Sequence, residues 1–130
     1  MKKTFLVITV LMFGFFAWLN SEKATRNSVF PDSNYKSSIY QGEATYQSNC
    51  AGCHGSSLSG TEKGPSLLDD VYKSSHHSDL SFYYAVNDGV RQHHWQFGDM
   101  PAIKGLSPEG VSDIVAYVRY KQKIAKIIKN

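Results

Sequence analysis

Apolar residues recur at helical spacing in three stretches of the chain, and no series of alternating, strand-like runs lies between them. The first stretch predicts a helix over Ile39–Cys53, because Gly42, Tyr46 and Cys50 follow one another every four residues and so share one face. The second predicts a helix over Asp79–Val90, with Gly89 as the residue that ends it. The Gly- and Ser-rich residues between them are expected to form loop.

The third stretch carries the clearest helix signals. Ser107 is suited to cap the helix N-terminus, and Pro108 follows at the first helical position, where its missing N–H costs nothing. Apolar residues then repeat at helical spacing at Val111, Ile114, Val115 and Val118. The pattern predicts an all-α fold of three to four short helices.

The N-terminus has a different pattern. Residues 4–19 are almost wholly apolar and follow Lys2 and Lys3, which is the layout of a signal peptide or a signal-anchor. As a helix this run would span roughly 24 Å, less than the roughly 30 Å of a bilayer core. However, no small-residue cleavage pattern follows it, and Trp18 is placed where an interfacial aromatic anchors a span. Residues 1–21 are therefore predicted to be a signal-anchor or signal peptide, with an uncleaved hydrophobic anchor helix over 4–21 preferred, and the remainder is expected on the exported side of the cytoplasmic membrane.

The remaining chain divides by composition. Residues 22–38 are polar and are predicted to form a linker, residues 39–123 form the folded domain, and residues 124–130 form a basic C-terminal tail. Ile124, Ile127 and Ile128 lie at helical spacing in this tail, and a solvated helix end is preferred over docking to lipid or a partner.

Charge excludes one class of function. The formal net charge of the 130 residues is +3, but between residues 39 and 120 the anionic side chains outnumber the cationic ones. A nucleic-acid-binding domain needs a basic face across its body, so nucleic acid is not an expected partner.

A domain this small, with short helices and long connections, buries little apolar surface and is expected to need a metal, a disulfide or a cofactor. The chain contains two cysteines, both in the segment NCAGCHG at residues 49–55. A bridge between Cys50 and Cys53 would close a tiny loop and contribute little stability. The pair must therefore have another use.

Three chemistries can use a CxxCH segment. A thioredoxin-like redox site needs its CxxC at a helix start beside a βαβ pattern, which this chain lacks. A structural zinc site needs four ligands at set spacing, whereas the other histidines come as the adjacent pairs His76-His77 and His93-His94. Covalent attachment of haem fits: the thiols of Cys50 and Cys53 lie near one face of a helix, and His54 follows as an axial ligand of the iron.

A sixth ligand is then required. Of the three methionines, Met1 and Met12 lie in the apolar N-terminal run, which leaves Met100 in the segment GDMPAI. Pro101 restricts Met100 to extended conformations and stiffens the loop. His/Met ligation is typical of electron-carrying cytochromes c, so Met100 is the predicted sixth ligand rather than a gap-filling core residue.

The remaining histidines and Trp95 are further candidates for contact with the haem, and each has a second interpretation. His93 and His94 compete with Met100 for the iron, although two solvated loop residues are the preferred interpretation, as for His76 and His77. Trp95 is predicted to pack against the haem or bind a propionate, and a core aromatic residue is the alternative.

Over about Ile39 to Tyr120 the chain resembles the class I cytochromes c. The resemblance rests on GEATYQSNCAGCHG, GPSL at residues 64–67, NDGV at 87–90, GDMPAI and LSPEGVSDIVAYVR. It implies the cytochrome c fold, with helices wrapped around one covalently attached haem c and its iron. It also implies that Gly42 and Tyr46 meet Tyr117, and that the Pro65 carbonyl accepts the ring N–H of His54. The segment VRQHHWQFGD before Met100 looks longer than in many small members.

The expected function is electron transfer, with no catalytic residues. A haem ligated by His54 and Met100 would carry single electrons between membrane-bound respiratory oxidoreductases, from a quinol- or dehydrogenase-side donor to an oxidase-side acceptor. Such a carrier would be a monomer or a subunit of a complex. Two alternatives remain: a fixed cytochrome subunit of a larger dehydrogenase or oxidase, and a haem sensor with a labile sixth ligand.

Overall fold

The computed structural model describes residues 12–18 and 28–127. Residues 12–18 form a helical stretch, and no helix within the described residues is long and apolar enough to cross a bilayer. The rest of the anchor helix predicted over 4–21, and residues 22–27 of the predicted linker, lie outside the described residues.

Four α-helices and one short 3₁₀ helix form the described part of the domain. They are Ile39–Asn49 (α1), Ala51–His54 (α2), the 3₁₀ helix Asp70–Tyr72, Asp79–Asp88 (α3) and Pro108–Ile124 (α4). Across residues 28–127 the structure has isolated β-bridges and no strand, which confirms the all-α class.

The first predicted helix is divided in two at Cys50. This residue leaves helical geometry, with φ −120° and ψ −33°, although its N–H still bonds the carbonyl of Tyr46 at 2.8 Å. The continuous helix predicted over Ile39–Cys53 is therefore wrong at this position. The second half, α2, begins after this residue and ends at Gly55, as expected.

The second predicted helix ends at Gly89, as expected. Gly89 adopts φ 79°, a conformation that glycine adopts without steric cost, and caps the helix after Asp88. Val90, which the predicted range included, lies beyond this cap and pairs with Met100.

The core is centred on the crossing of α1 and α4. A Cβ atom on Gly42 would lie 1.9 Å from the carbonyl oxygen of Asp113, so the helices approach closely because this residue has no side chain. Next to this point the rings of Tyr46 and Tyr117 pack with centroids 5.5 Å apart. The expected meeting of Gly42, Tyr46 and Tyr117 is confirmed.

The chain before α1 packs on the helices. Phe30 contacts the ring of Tyr83 in α3, with centroids 5.4 Å apart. The Tyr35 hydroxyl donates to the buried carboxylate of Asp113 at 2.9 Å, and the backbone N–H of Ser38 donates to the same carboxylate at 2.7 Å. Residues 28–38, assigned to the linker from composition, thus belong to the folded unit.

Helix α4 begins as predicted, with the Ser107 hydroxyl accepting from the N–H of Gly110 at 3.1 Å. It continues into the basic segment as far as Ile124. Gln122, in the last turn of α4, is fully buried, and its amide donates to the carbonyl of Leu67 at 2.8 Å. The helix end is thus attached to the core, whereas Ile124 is exposed and Ile128 lies outside the described residues.

Candidate functional site

One cavity of about 530 Å³ opens between α2, α3 and the loop that leads to α4. The structure brings all six residues singled out from the sequence to its wall: Cys50, Cys53, His54, Pro65, Trp95 and Met100. They come from three separate parts of the chain.

The His54 ring is oriented by a backbone carbonyl. Its Nδ1 lies 2.9 Å from the carbonyl oxygen of Pro65, the contact that the resemblance implies. Since a carbonyl can only accept, Nδ1 carries the proton and Nε2 keeps its lone pair for a metal. The ring is half-buried at the end of α2.

The two cysteines are free thiols, with Cys50 half-buried and Cys53 exposed. Burial, with a smaller contribution from Cys53, raises the pKa of Cys50 to about 11. Redox-active CxxC sites instead have a lowered pKa that keeps one thiolate at neutral pH. The raised pKa of Cys50 therefore disfavours a disulfide redox switch.

Met100 is held by its backbone. Its N–H donates to the carbonyl of Val90, and the N–H of Val90 donates to its carbonyl, each at 2.9 Å. The loop 91–99 between them is closed further by the bond from the N–H of Gln92 to the Asp99 carboxylate at 2.9 Å. The longer segment noted in the sequence is thus the loop 91–99, whose two ends are joined by the pairing of Val90 with Met100. This pairing places Met100 at the cavity.

Trp95 extends from the loop 91–99 onto the cavity wall. Its ring stacks on Tyr72, with centroids 5.8 Å apart and an interplanar angle of 18°. The Tyr72 ring also packs near the ring of Phe82 in α3, with centroids 6.5 Å apart. Trp95 therefore forms part of an aromatic wall that is shared between the cavity and the surrounding core.

With this geometry in place, the comparison with protein families is decisive. The family model described as cytochrome c matches residues 39–122, well over half of the chain. The chain belongs to the cytochrome c family. Membership implies a covalently bound haem c with iron and supports a role in electron transfer.

The cytochrome is also similar to a solved structure. Cytochrome cL from the marine methylotrophic bacterium Methylophaga aminisulfidivorans has 26% sequence identity to it and a TM-score of 0.48. The similarity covers 70% of this chain and 60% of that chain, so the cytochrome spans about three-fifths of the length of that relative. None of the curated proteins matches it.

The residues at the cavity fit a haem c. The volume of about 530 Å³ lies within the range of about 300–1,000 Å³ that is typical of cofactor sites. The wall is largely apolar and contains two free thiols, the His54 imidazole with its free Nε2 and one thioether, while His77, His93 and His94 also line it. This donor set matches covalent attachment and two axial positions.

Arg119 of α4 was missed by the sequence analysis, which counted it only as a cation. Its guanidinium donates to the carbonyl oxygens of Tyr72 at 2.6 Å and His77 at 2.5 Å, and to the Asp79 carboxylate at 2.7 Å. It also lies over the ring of Phe82, 5.1 Å from the centroid. Arg119 thus connects α4 to the turn that borders the cavity.

The histidines lie on a turn and a loop, as expected, with His76 and His94 exposed and His77 half-buried. The sequence did not indicate that the fold brings His76, His77 and His94 together. Burial, followed by the neighbouring charges of His93, His77 and His76, lowers the pKa of His94. The zinc argument from the sequence treated His76-His77 and His93-His94 as separate pairs, whereas the fold brings both members of the first pair beside His94 of the second.

Proposed function

We propose that this cytochrome is a single-electron carrier in which Cys50 and Cys53 hold the haem covalently and His54 and Met100 bind its iron. The observation that supports this most is the presence of His54, Met100 and both thiols on one cavity wall. When bound, the haem supplies a reversible one-electron change at iron.

The protein residues determine how the iron is used. The bond from His54 to the Pro65 carbonyl fixes the tautomer and orientation of the ring and makes Nε2 a stronger ligand. The thioether of Met100 is a soft ligand, which favours the ferrous state and raises the reduction potential. If His54 and Met100 both bind the iron, no position would remain for oxygen or a substrate, which supports a carrier rather than an enzyme.

The partners and the location follow from this role. We propose that the cytochrome works on the exported side of the cytoplasmic membrane, accepts electrons from a quinol- or dehydrogenase-side donor and passes them to an oxidase-side acceptor. Attachment through residues 4–21 stays a prediction from the sequence, and it would keep the carrier close to membrane oxidoreductases.

Absorption spectra of the oxidised protein test the axial assignment. We expect a weak sulfur-to-iron band at the red end of the visible spectrum, which Met100→Ala removes while lowering the reduction potential. Met12→Ala is the matched control and should retain both the band and the potential, since Met12 precedes the domain. A parent protein without the band, or a Met100→Ala protein that keeps it, would contradict the proposal.

Carbon monoxide separates the carrier from a haem sensor. The ferrous parent protein should not bind the gas at neutral pH, because Met100 blocks the iron, whereas Met100→Ala should bind it readily. Ready binding by the parent would favour a sensor with a labile sixth ligand.

A further inference from the structure

A cluster of imidazoles lies beside the haem cavity. His76 and His77 come from the turn that follows the 3₁₀ helix, and His94 comes from the loop 91–99. One ring nitrogen from each of the three lies within 4.8 Å of the other two. His77 and His94 also line the cavity, so the cluster borders the place where the haem is proposed to bind.

The distance between His76 and His94 suits a metal better than a hydrogen bond. Their Nε2 atoms are 3.4 Å apart, longer than the roughly 2.7–3.2 Å of well-formed hydrogen bonds to nitrogen donors. Two nitrogens that each lie about 2.0–2.1 Å from a tetrahedral ion are separated by roughly 3.4 Å. The pair is thus already spaced as two ligands of one ion.

The third imidazole is oriented as metal-binding histidines are. Nδ1 of His77 donates to the carbonyl oxygen of Val71 at 2.7 Å, which leaves the lone pair on Nε2 for a ligand bond. The turn is fixed by Arg119, which donates to the His77 carbonyl at 2.5 Å. The N–H groups of His76 and His77 both donate to the carbonyl of Lys73, at 2.9 and 2.8 Å. Two of the three ligands are therefore held before any ion binds.

We propose that His76, His77 and His94 bind one divalent transition-metal ion, Zn²⁺ or Cu²⁺, with water completing its coordination. Imidazole nitrogen is a preferred ligand of both ions, and three histidines with an open fourth position form a known type of zinc site. The site is accessible from solvent, because His76 and His94 are exposed.

Binding would have two consequences for the cytochrome. The ion would join the turn at 73–78 to the loop 91–99, whose far end holds Met100, and so stabilise that loop. Its positive charge beside the cavity would favour the reduced iron and raise the reduction potential. By linkage, the reduced protein would then bind the ion more tightly than the oxidised protein.

The test is calorimetric titration of the haem-loaded protein, produced without a histidine tag and treated with chelator, using ZnCl₂ at neutral pH. We expect one saturable site per chain and a higher reduction potential in the zinc-loaded protein. His76→Gln and His94→Gln should each weaken binding by about tenfold or more, as a lost ligand does. Both side chains are exposed, and an unchanged haem spectrum would verify that each variant is folded.

His93→Gln is the matched control. His93 is adjacent to His94 and its Nδ1 donates to the carbonyl of Arg91 at 2.9 Å, but it does not belong to the group of three. The zinc affinity of the His93→Gln protein should stay within a few-fold of that of the parent protein. The absence of saturable binding would overturn the proposal, as would equal losses in His93→Gln and the two ligand variants. Since the titration does not depend on the sulfur-to-iron band, failure of this proposal can be distinguished from failure of the axial assignment.

Discussion

Local spacing and tertiary packing contribute different residues to the site. Cys50, Cys53 and His54 are predictable because their chemistry depends on positions along a single turn of helix. The contact of His54 with Pro65 joins residues eleven apart and could be expected only from the resemblance to a family. Arg119 donates to the carbonyls of Tyr72 and His77 and to the carboxylate of Asp79, which lie between 40 and 47 positions away in the sequence, so no local pattern indicates its role.

The histidine cluster illustrates the same limit. Residues 76 and 94 are separated by eighteen positions, and their rings meet because the turn at 73–78 and the loop 91–99 pack side by side. A sequence shows which loops contain ligands, but the distance between two loops depends on the whole fold.

Tyr72 gives a prediction for alkaline pH. Burial, with a smaller contribution from Asp69, raises its pKa to about 12. A phenol whose pKa is higher in the folded state favours folding below its unfolded pKa of about 10, and this contribution is lost as pH rises from about 10 towards 12. The free energy of unfolding should therefore fall across this range, and Tyr72→Phe should make the fall less steep.

Denaturant titrations followed by far-UV circular dichroism at pH 9, 10 and 11 measure the slope of the unfolding free energy against pH. The control is Tyr40→Phe, at a side chain that is 78% exposed and so loses little hydration on folding; its slope should match that of the parent. If Tyr72→Phe and the parent lose stability equally, the burial of this hydroxyl does not contribute to the alkaline loss.

The helices as elements were predictable where their signals are local. Ser107 and Pro108 indicate where α4 starts, and apolar residues that repeat about every 3.6 positions indicate its buried face. The break at Cys50 was not predictable, because the residues on either side of it are compatible with a helix. The 3₁₀ helix at Asp70–Tyr72 is too short for periodicity to reveal.

The crossing of α1 and α4 gives a prediction for helix packing. In Gly42→Ala the new methyl group would lie 1.9 Å from the carbonyl oxygen of Asp113, so the two helices must separate. Overpacking of this kind costs about 1–3 kcal/mol or more of unfolding free energy. Denaturant unfolding of the haem-loaded protein measures the loss.

Gly52→Ala is the matched control. Nothing lies within 4 Å of the Cβ position of Gly52, which is in α2. Because alanine has the higher helix propensity, this change should leave stability unchanged or raise it by about 0.5–1 kcal/mol. Equal losses in the two variants would show that the close approach at Gly42 does not limit the crossing.

The whole molecule is organised around the cavity. One apolar cluster, which includes Tyr46, Leu58 and Tyr117, lies where α1 crosses α4, and a second, which includes Tyr83 and Val115, lies between α3 and α4. Both adjoin the cavity wall through the half-buried Phe82, which packs against each cluster and lines the cavity. The haem would complete a core that the side chains only partly fill, as is expected for a domain of this size.

At this scale the sequence indicated the class of fold and the need for a prosthetic group, because both depend on composition and on one local motif. It did not indicate that residues 28–38 pack on the helices. That packing relies on Tyr35 reaching the carboxylate of Asp113, seventy-eight positions away, and polar composition alone suggests a linker.

The intact mass of the purified protein under denaturing conditions tests the central claim most directly. The account predicts a mass that exceeds the polypeptide by one haem, and loss of this excess when Cys50→Ser and Cys53→Ser are combined. A parent mass equal to that of the amino acids alone, with no covalently bound pigment, would contradict it.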